Sequence, residues 1–102
     1  MPTDTKIAIF KGRKIRKTLR NNEWWFSVAD VVQILTDSAD PGAYWRKLKQ
    51  RLKDEGSEVV KFCDGLKLYE SDGKKYETDC ADTEGMFRII QREKAQEAGR
   101  FS

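Results

Sequence analysis

A chain of 102 residues has room for one domain, and 38% hydrophobic content can fill one modest core; its 11 aromatics exclude a wholly disordered chain. The net charge of +3 conceals an asymmetry, +7 over residues 1–53 and −4 over residues 54–102, which suits a polyanionic partner met by the first half. No histidine and only two cysteines exclude a Cys/His zinc centre and the commonest general base, and the longest apolar run, Ile7-Ala8-Ile9-Phe10, is too short to cross a bilayer.

The first stretch, "IAIFKGRKIRKTLRNNEWWFSV", reads as strands joined by turns at Lys11-Gly12 and Asn21-Asn22, since Gly and Asn accept the positive φ of a tight hairpin. In "KIRKTLR", Ile15 and Leu19 share one strand face and Arg16, Thr18 and Arg20 the other. Trp24, Trp25 and Phe26 are a base-stacking platform, an interface or core. The acids nearby, Glu23 and Asp30, disfavour stacking on DNA, so the cluster is expected mainly in the core, with at most one ring exposed.

Ser27 resembles an N-cap with Asp30 three residues on, close to a capping box. Val28, Val31, Val32 and Leu35 then follow helical spacing and predict a helix over 28–35. After a turn at 36–40, Asp40 as cap, Pro41 at the first position and Gly56 as stop predict a helix over 41–55. Tyr44, Trp45, Leu48 and Leu52 face inward. Arg46, Lys49, Gln50 and Lys53 form a polar, mostly cationic stripe on another face.

"EVVKFCDGLKLYESDGKKYETDC" reads as a β-meander with hairpin turns at Asp64-Gly65 and Asp72-Gly73, and Val60, Phe62, Leu66, Leu68, Tyr76 and Thr78 supply its alternation. A last helix starts near Asp82 or Thr83 and is expected to bury Met86, Phe87, Ile89 and Ile90. It fades into the polar tail 92–102. The fold class expected is α+β, a small antiparallel sheet packed with about three helices and a helix-turn-helix-like pair in the middle, as a single domain over 1–102.

Catalytic chemistry finds little support. The acids Glu70, Asp72, Glu77, Asp79, Asp82 and Glu84 could hold Mg²⁺ as a nuclease does, but acids at a helix N-terminus need no metal to explain them. "GRKIRKT" lacks the spacing of a phosphate-binding loop. The expectation is a protein that is not an enzyme, with no cofactor and no metal.

The basic elements carry more. A second helix with a cationic face is the layout of a helix-turn-helix reader. Arg46, Lys47, Lys49 and Lys53 would contact phosphates or guanine edges, Gln50 could read a base, and Arg13, Lys14, Arg16, Lys17 and Arg20 on the hairpin would grip the backbone. The alternative is a solvated amphipathic helix. The like-charge pairs Lys47–Arg51 and Lys49–Lys53 each cost such a helix a few tenths of a kcal/mol, which tilts the balance toward a ligand.

Together these pieces resemble the N-terminal domain of the BRO family, found in phage antirepressors and baculovirus repeated-ORF proteins, with the DNA-damage-inducible protein D type as the nearest branch. The residues concerned are the basic hairpin, Trp25-Phe26 followed by Asp30-Val31, the basic helix Arg46 to Lys53, and Glu84-Gly85 with Arg88-Ile89, over about residues 7–91. The resemblance implies DNA as partner, cytoplasmic regulation of transcription in prophage or stress contexts, and a C-terminal effector region. Family members usually continue past "RII" into a further helix. This chain therefore reads as a truncated remnant or a trimmed domain, and a homodimer would cover Met86, Phe87 and Ile90. A regulator that binds an acidic protein or a protein–DNA filament is the second reading, and the carboxylate nuclease a distant third.

Overall fold

The computed structural model describes the backbone of residues 5–100 and the side chains of residues 5–93. Strands β1 (Lys6–Phe10), β2 (Arg13–Arg20) and β3 (Glu23–Ser27) form an antiparallel meander. Both of its turns have positive φ at their two central residues, Lys11 and Gly12 in one, Asn21 and Asn22 in the other. That is the geometry whose twist matches paired strands. Helices α1 (Val28–Thr36) and α2 (Pro41–Asp54) follow, then a 3₁₀ turn (Glu58–Phe62), the hairpin β4 (Cys63–Tyr69) and β5 (Lys75–Asp82), and helix α3 (Thr83–Arg100). Strand β5 pairs with β3, which joins the two halves into one antiparallel sheet of order β1-β2-β3-β5-β4. The expected α+β class is the observed one.

The helix ends follow the chemistry of their caps. Ser27 Oγ accepts from the Asp30 N–H at 3.3 Å, and Asp37 closes α1 in a left-handed conformation (φ 56°). Asp40 Oδ1 accepts from the Ala43 N–H at 3.1 Å, Pro41 opens α2, and Gly56 (φ 72°) ends it. Asp82 Oδ1 accepts from the Gly85 N–H at 2.8 Å and starts α3.

Three expectations fail locally. Asp64-Gly65 is not a turn but lies inside β4, and Glu58–Phe62 coils into a 3₁₀ turn capped by Ser57 instead of extending. Gly65 does not adopt the left-handed φ that a hairpin turn demands. It faces Glu77, whose side chain occupies the space that a Cβ there would need. Only Asp72-Gly73 turns the hairpin, with Gly73 at φ 83°. Phe87 is 59% exposed, because α3 buries a stripe of Met86, Ile89 and Glu93 from whose centre Phe87 is rotated by about a third of a turn. Leu19, on the same strand face as buried Ile15, is 54% exposed beside the Asn21-Asn22 turn. The expected polar tail continues α3 to Arg100, and residues 101–102 lie outside the described residues.

The main core lies where α1, α2 and α3 cover one sheet face. It comprises Ile15, Val28, Val31, Val32, Trp45, Leu48, Leu52, Ala81, Met86 and Ile89. Of the residues expected to need a second copy to cover them, Met86 is thus buried within the chain and Ile90 half-buried.

The strand register puts Arg16, Thr18, Arg20, Trp25, Ser27, Leu68 and Cys80 on the opposite face. The sheet curls over that face. Arg16 Nη1 reaches past β3 and β5 to the Tyr69 carbonyl (3.1 Å), and Arg20 Nη1 reaches Asp64 Oδ2 (2.6 Å) at the start of β4. Ser27, Leu68 and Cys80 are fully buried. The chain therefore has a covered layer on each side of its sheet. This explains why Trp24, Trp25 and Phe26 run consecutively: a strand covered on both faces can be apolar at every position. All three rings are half-buried, with Lys17 Nζ 4.0 Å from the Trp24 ring centre and the Arg20 guanidinium 5.1 Å from that of Trp25.

Candidate nucleic-acid interface

Helix α2 is held on two flanks, and that defines its free face. At about 100° per residue, Trp45, Leu48 and Leu52 mark the buried side. On one flank, Trp45 Nε1 and Lys49 Nζ both donate to Asp79 Oδ2 on β5, at 2.7 and 2.9 Å. On the other, the Tyr44 hydroxyl donates to Glu93 Oε2 on α3 at 3.2 Å, and Arg92 of α3 bonds Glu55, just past the end of α2, at 2.7 Å. Arg46, Lys47, Gln50, Lys53 and Asp54 lie exposed on an outward arc of about 120°, and the exposed Arg51 adjoins it on the Tyr44 side. Arg46, Lys47 and Lys53 form no ion pair with the described residues. Their charge is thus uncompensated by direct contacts.

The sequence-predicted cations divide accordingly. Lys49, in the expected stripe, is tied to Asp79 and sits at its edge. On the hairpin, Lys14 is exposed, and Arg13 makes a long 3.7 Å ion pair with the exposed Asp37 of the α1–α2 turn. Arg13 therefore borders the helix pair. Lys17 and Arg20 lie against tryptophans, and Arg20 is paired with Asp64.

Arg16 is a hub inside the fold. Its guanidinium donates to both oxygens of Asp30 (2.9 and 3.0 Å), to Glu70 Oε2 (3.0 Å), to the Tyr69 carbonyl and to Ser27 Oγ (3.3 Å); its backbone N–H also donates to Asp30. The hydrogen bond to Asp30 is the largest influence on this group. Burial opposes it and is outweighed, so the guanidinium is pushed still further above its ordinary value and stays charged. Asp30 does not complete a capping box, because its carboxylate turns to Arg16. The sequence signal for this hub was the run of apolar residues on both strand faces, which leaves an interior arginine in need of acid partners.

Most of the acids considered for metal binding are engaged otherwise, Asp72 with the Tyr76 hydroxyl and Asp82 with the Gly85 N–H among them. Asp79 holds Trp45 and Lys49, and Glu84 pairs with Arg88. Among the described residues no cluster of three or more acids and cysteines is placed to hold a metal ion. Burial raises the thiols of Cys63 to about 11 and Cys80 to about 12, so both are free and protonated at neutral pH. Among the described residues no helix is long and apolar enough to cross a membrane. A cleft of about 360 Å³ separates α2 from the β4–β5 hairpin, with Arg46 on one wall and Glu70, Glu77 and Asp79 on the other.

Asp79 carries a testable pH dependence. Burial alone would raise its carboxyl, but the hydrogen bonds from Lys49 and Trp45, with the charges of Lys49 and Lys53, outweigh it and hold it below the usual carboxylate range. Its stabilisation is complete above the unfolded-state value, about 3.9, and is lost as pH falls through the lower folded value. Replacing Asp79 with alanine leaves the indole N–H of buried Trp45 without its acceptor and is expected to cost about 1–3 kcal/mol in urea unfolding at pH 7. Asp79→Asn should flatten the acid limb of the stability curve.

No curated protein and no solved structure matches the chain. One family does, the BRO family, N-terminal domain, over residues 14–102, from within β2 through α3 and including the segment 92–102 that lay outside the sequence resemblance. With that match covering all but the first 13 residues, the chain belongs to the BRO family as an N-terminal domain.

Proposed function

We propose that this domain binds duplex DNA through the outward arc of α2, as part of a transcriptional regulator of antirepressor type, and that it works by binding and not by catalysis. Membership of the BRO family supports a DNA-binding role in general. The observation that carries the assignment to α2 is the set of exposed cations Arg46, Lys47 and Lys53 on a helix fixed from both flanks. Lys14 and Arg13 supply a second contact beside the α1–α2 turn. Arg16, Arg20 and Lys49 serve instead to close the sheet and anchor the helix. The acids Glu70 and Glu77 steer the backbone away from the hairpin side.

Arg13, Lys14, Arg46, Lys47 and Lys53 together predict about five neutralised phosphates, and so a fall of log K with log salt at a slope of about −4 to −5. Fluorescence anisotropy on random-sequence duplex at increasing salt measures this. Binding that ignores salt, or no binding at low salt, would overturn the proposal.

A further inference from the structure

We infer that Gln50 and Asp54 act together as the base-reading unit of α2, and that the base read is adenine in the major groove; this rests on the DNA-binding reading above. Gln50 occupies the centre of the outward arc, with Arg46 and Lys47 one turn before it and Lys53 and Asp54 one turn after. Its Nε2 donates to Asp54 Oδ1 at 3.0 Å. A carboxylate only accepts, so this contact fixes which end of the amide faces Asp54. Donation through the N–H trans to Oε1 leaves the carbonyl oxygen and the other N–H side by side for a ligand. An acceptor beside a donor complements adenine, whose major-groove edge offers the N6 donor and the N7 acceptor. Guanine offers two acceptors there and would set oxygen against Gln50 Oε1.

Asp54 is otherwise an anomaly. It is the last residue of α2, where the helix dipole disfavours negative charge, and it lies on an arc built to meet phosphate. No ion pair with the described residues compensates it; its hydrogen bond is the one from Gln50. In that place an acid weakens attraction to DNA backbone of any sequence and holds the reading amide in one orientation. Both effects raise the ratio of specific to non-specific binding.

The test is selection of sites from a random duplex pool with the full chain, followed by titration of the winning site. The expected site contains an adenine whose replacement by 7-deazaadenine, which lacks N7, weakens binding on the order of tenfold. Gln50→Ala should erase that penalty and leave the salt slope unchanged. Asp54→Asn should tighten binding to random DNA and reduce the adenine preference. If the wild type is indifferent to every 7-deazaadenine, or if Gln50→Ala still discriminates, the inference is overturned while DNA binding stands. If the wild type retains no duplex at all, the DNA-binding reading itself fails and takes the inference with it.

Discussion

Arg16→Ala should cost about 2–4 kcal/mol in urea unfolding, a large share of the stability of a domain this size. The guanidinium serves acceptors on four segments, the α1 cap Ser27, Asp30 within α1, the end of β4 at Tyr69, and Glu70 beyond it. Its side chain is 19% exposed and that of Asp30 22%, so removing the cation leaves a largely covered carboxylate uncompensated. The figure sits below that for a fully buried pair because water still reaches both groups. Arg16→Lys should recover less than half of the loss, since an ammonium cannot bond both oxygens of Asp30 in a fork while reaching Tyr69 and Glu70. The double substitution Arg16→Met with Asp30→Asn should cost clearly less than the sum of its parts. Strict additivity would show that the hub is not a coupled unit.

The second large effect is on binding. Substituting Arg46, Lys47 and Lys53 together by alanine should lower affinity for random duplex at about 0.1 M salt by about two to three orders of magnitude, and reduce the salt slope by about 3. The magnitude follows from counterion release, in which each lost phosphate contact is worth roughly eightfold at that salt. All three side chains are exposed and make no ion pair with the described residues, so the circular dichroism spectrum and the urea midpoint should barely move. An unchanged affinity would mean that DNA meets another face. The two experiments separate cleanly: Arg16 was as plausible a DNA contact in the sequence as Arg46, yet its loss should be felt first in stability.

That distinction shows where the sequence stops informing. Helical spacing and capping residues gave α1 and α2 almost to the residue, because Ser27, Asp40, Pro41 and Gly56 act on their immediate neighbours. Asn21-Asn22 and Asp72-Gly73 were legible as turns for the same reason. Asp64-Gly65 carried the same dipeptide signal and misled, since its place opposite Cys80 and Asp79 on β5 overrode local preference. Phe87 misleads because an apolar residue in a helix is buried only when its angle about the axis puts it on the packed stripe. The fate of each cation was the least legible. Lys49 meets Asp79 from 30 positions away and Arg16 meets Glu70 from 54 away, and nothing in the local pattern distinguishes them from Lys47 or Lys14. What could have been read is that Trp24, Trp25 and Phe26 leave no strand face for water, so that half the hairpin's basic residues point indoors.

The same hub shapes the order of folding. Its links from Arg16 to Tyr69 and Glu70, and from Arg20 to Asp64, close loops of 53, 54 and 44 residues, which chain entropy makes slow to form. Helix α1, the meander and the β4–β5 hairpin can each form from neighbouring residues; the curl of the sheet needs both halves in place. Arg16 and Arg20 therefore act as a latch between the two halves, and its long-range links are expected to fasten after the rate-limiting barrier. Arg20→Ala, which removes the long-range link to Asp64, should speed unfolding more than it slows refolding, so that this link governs how long the folded domain persists more than how fast it assembles.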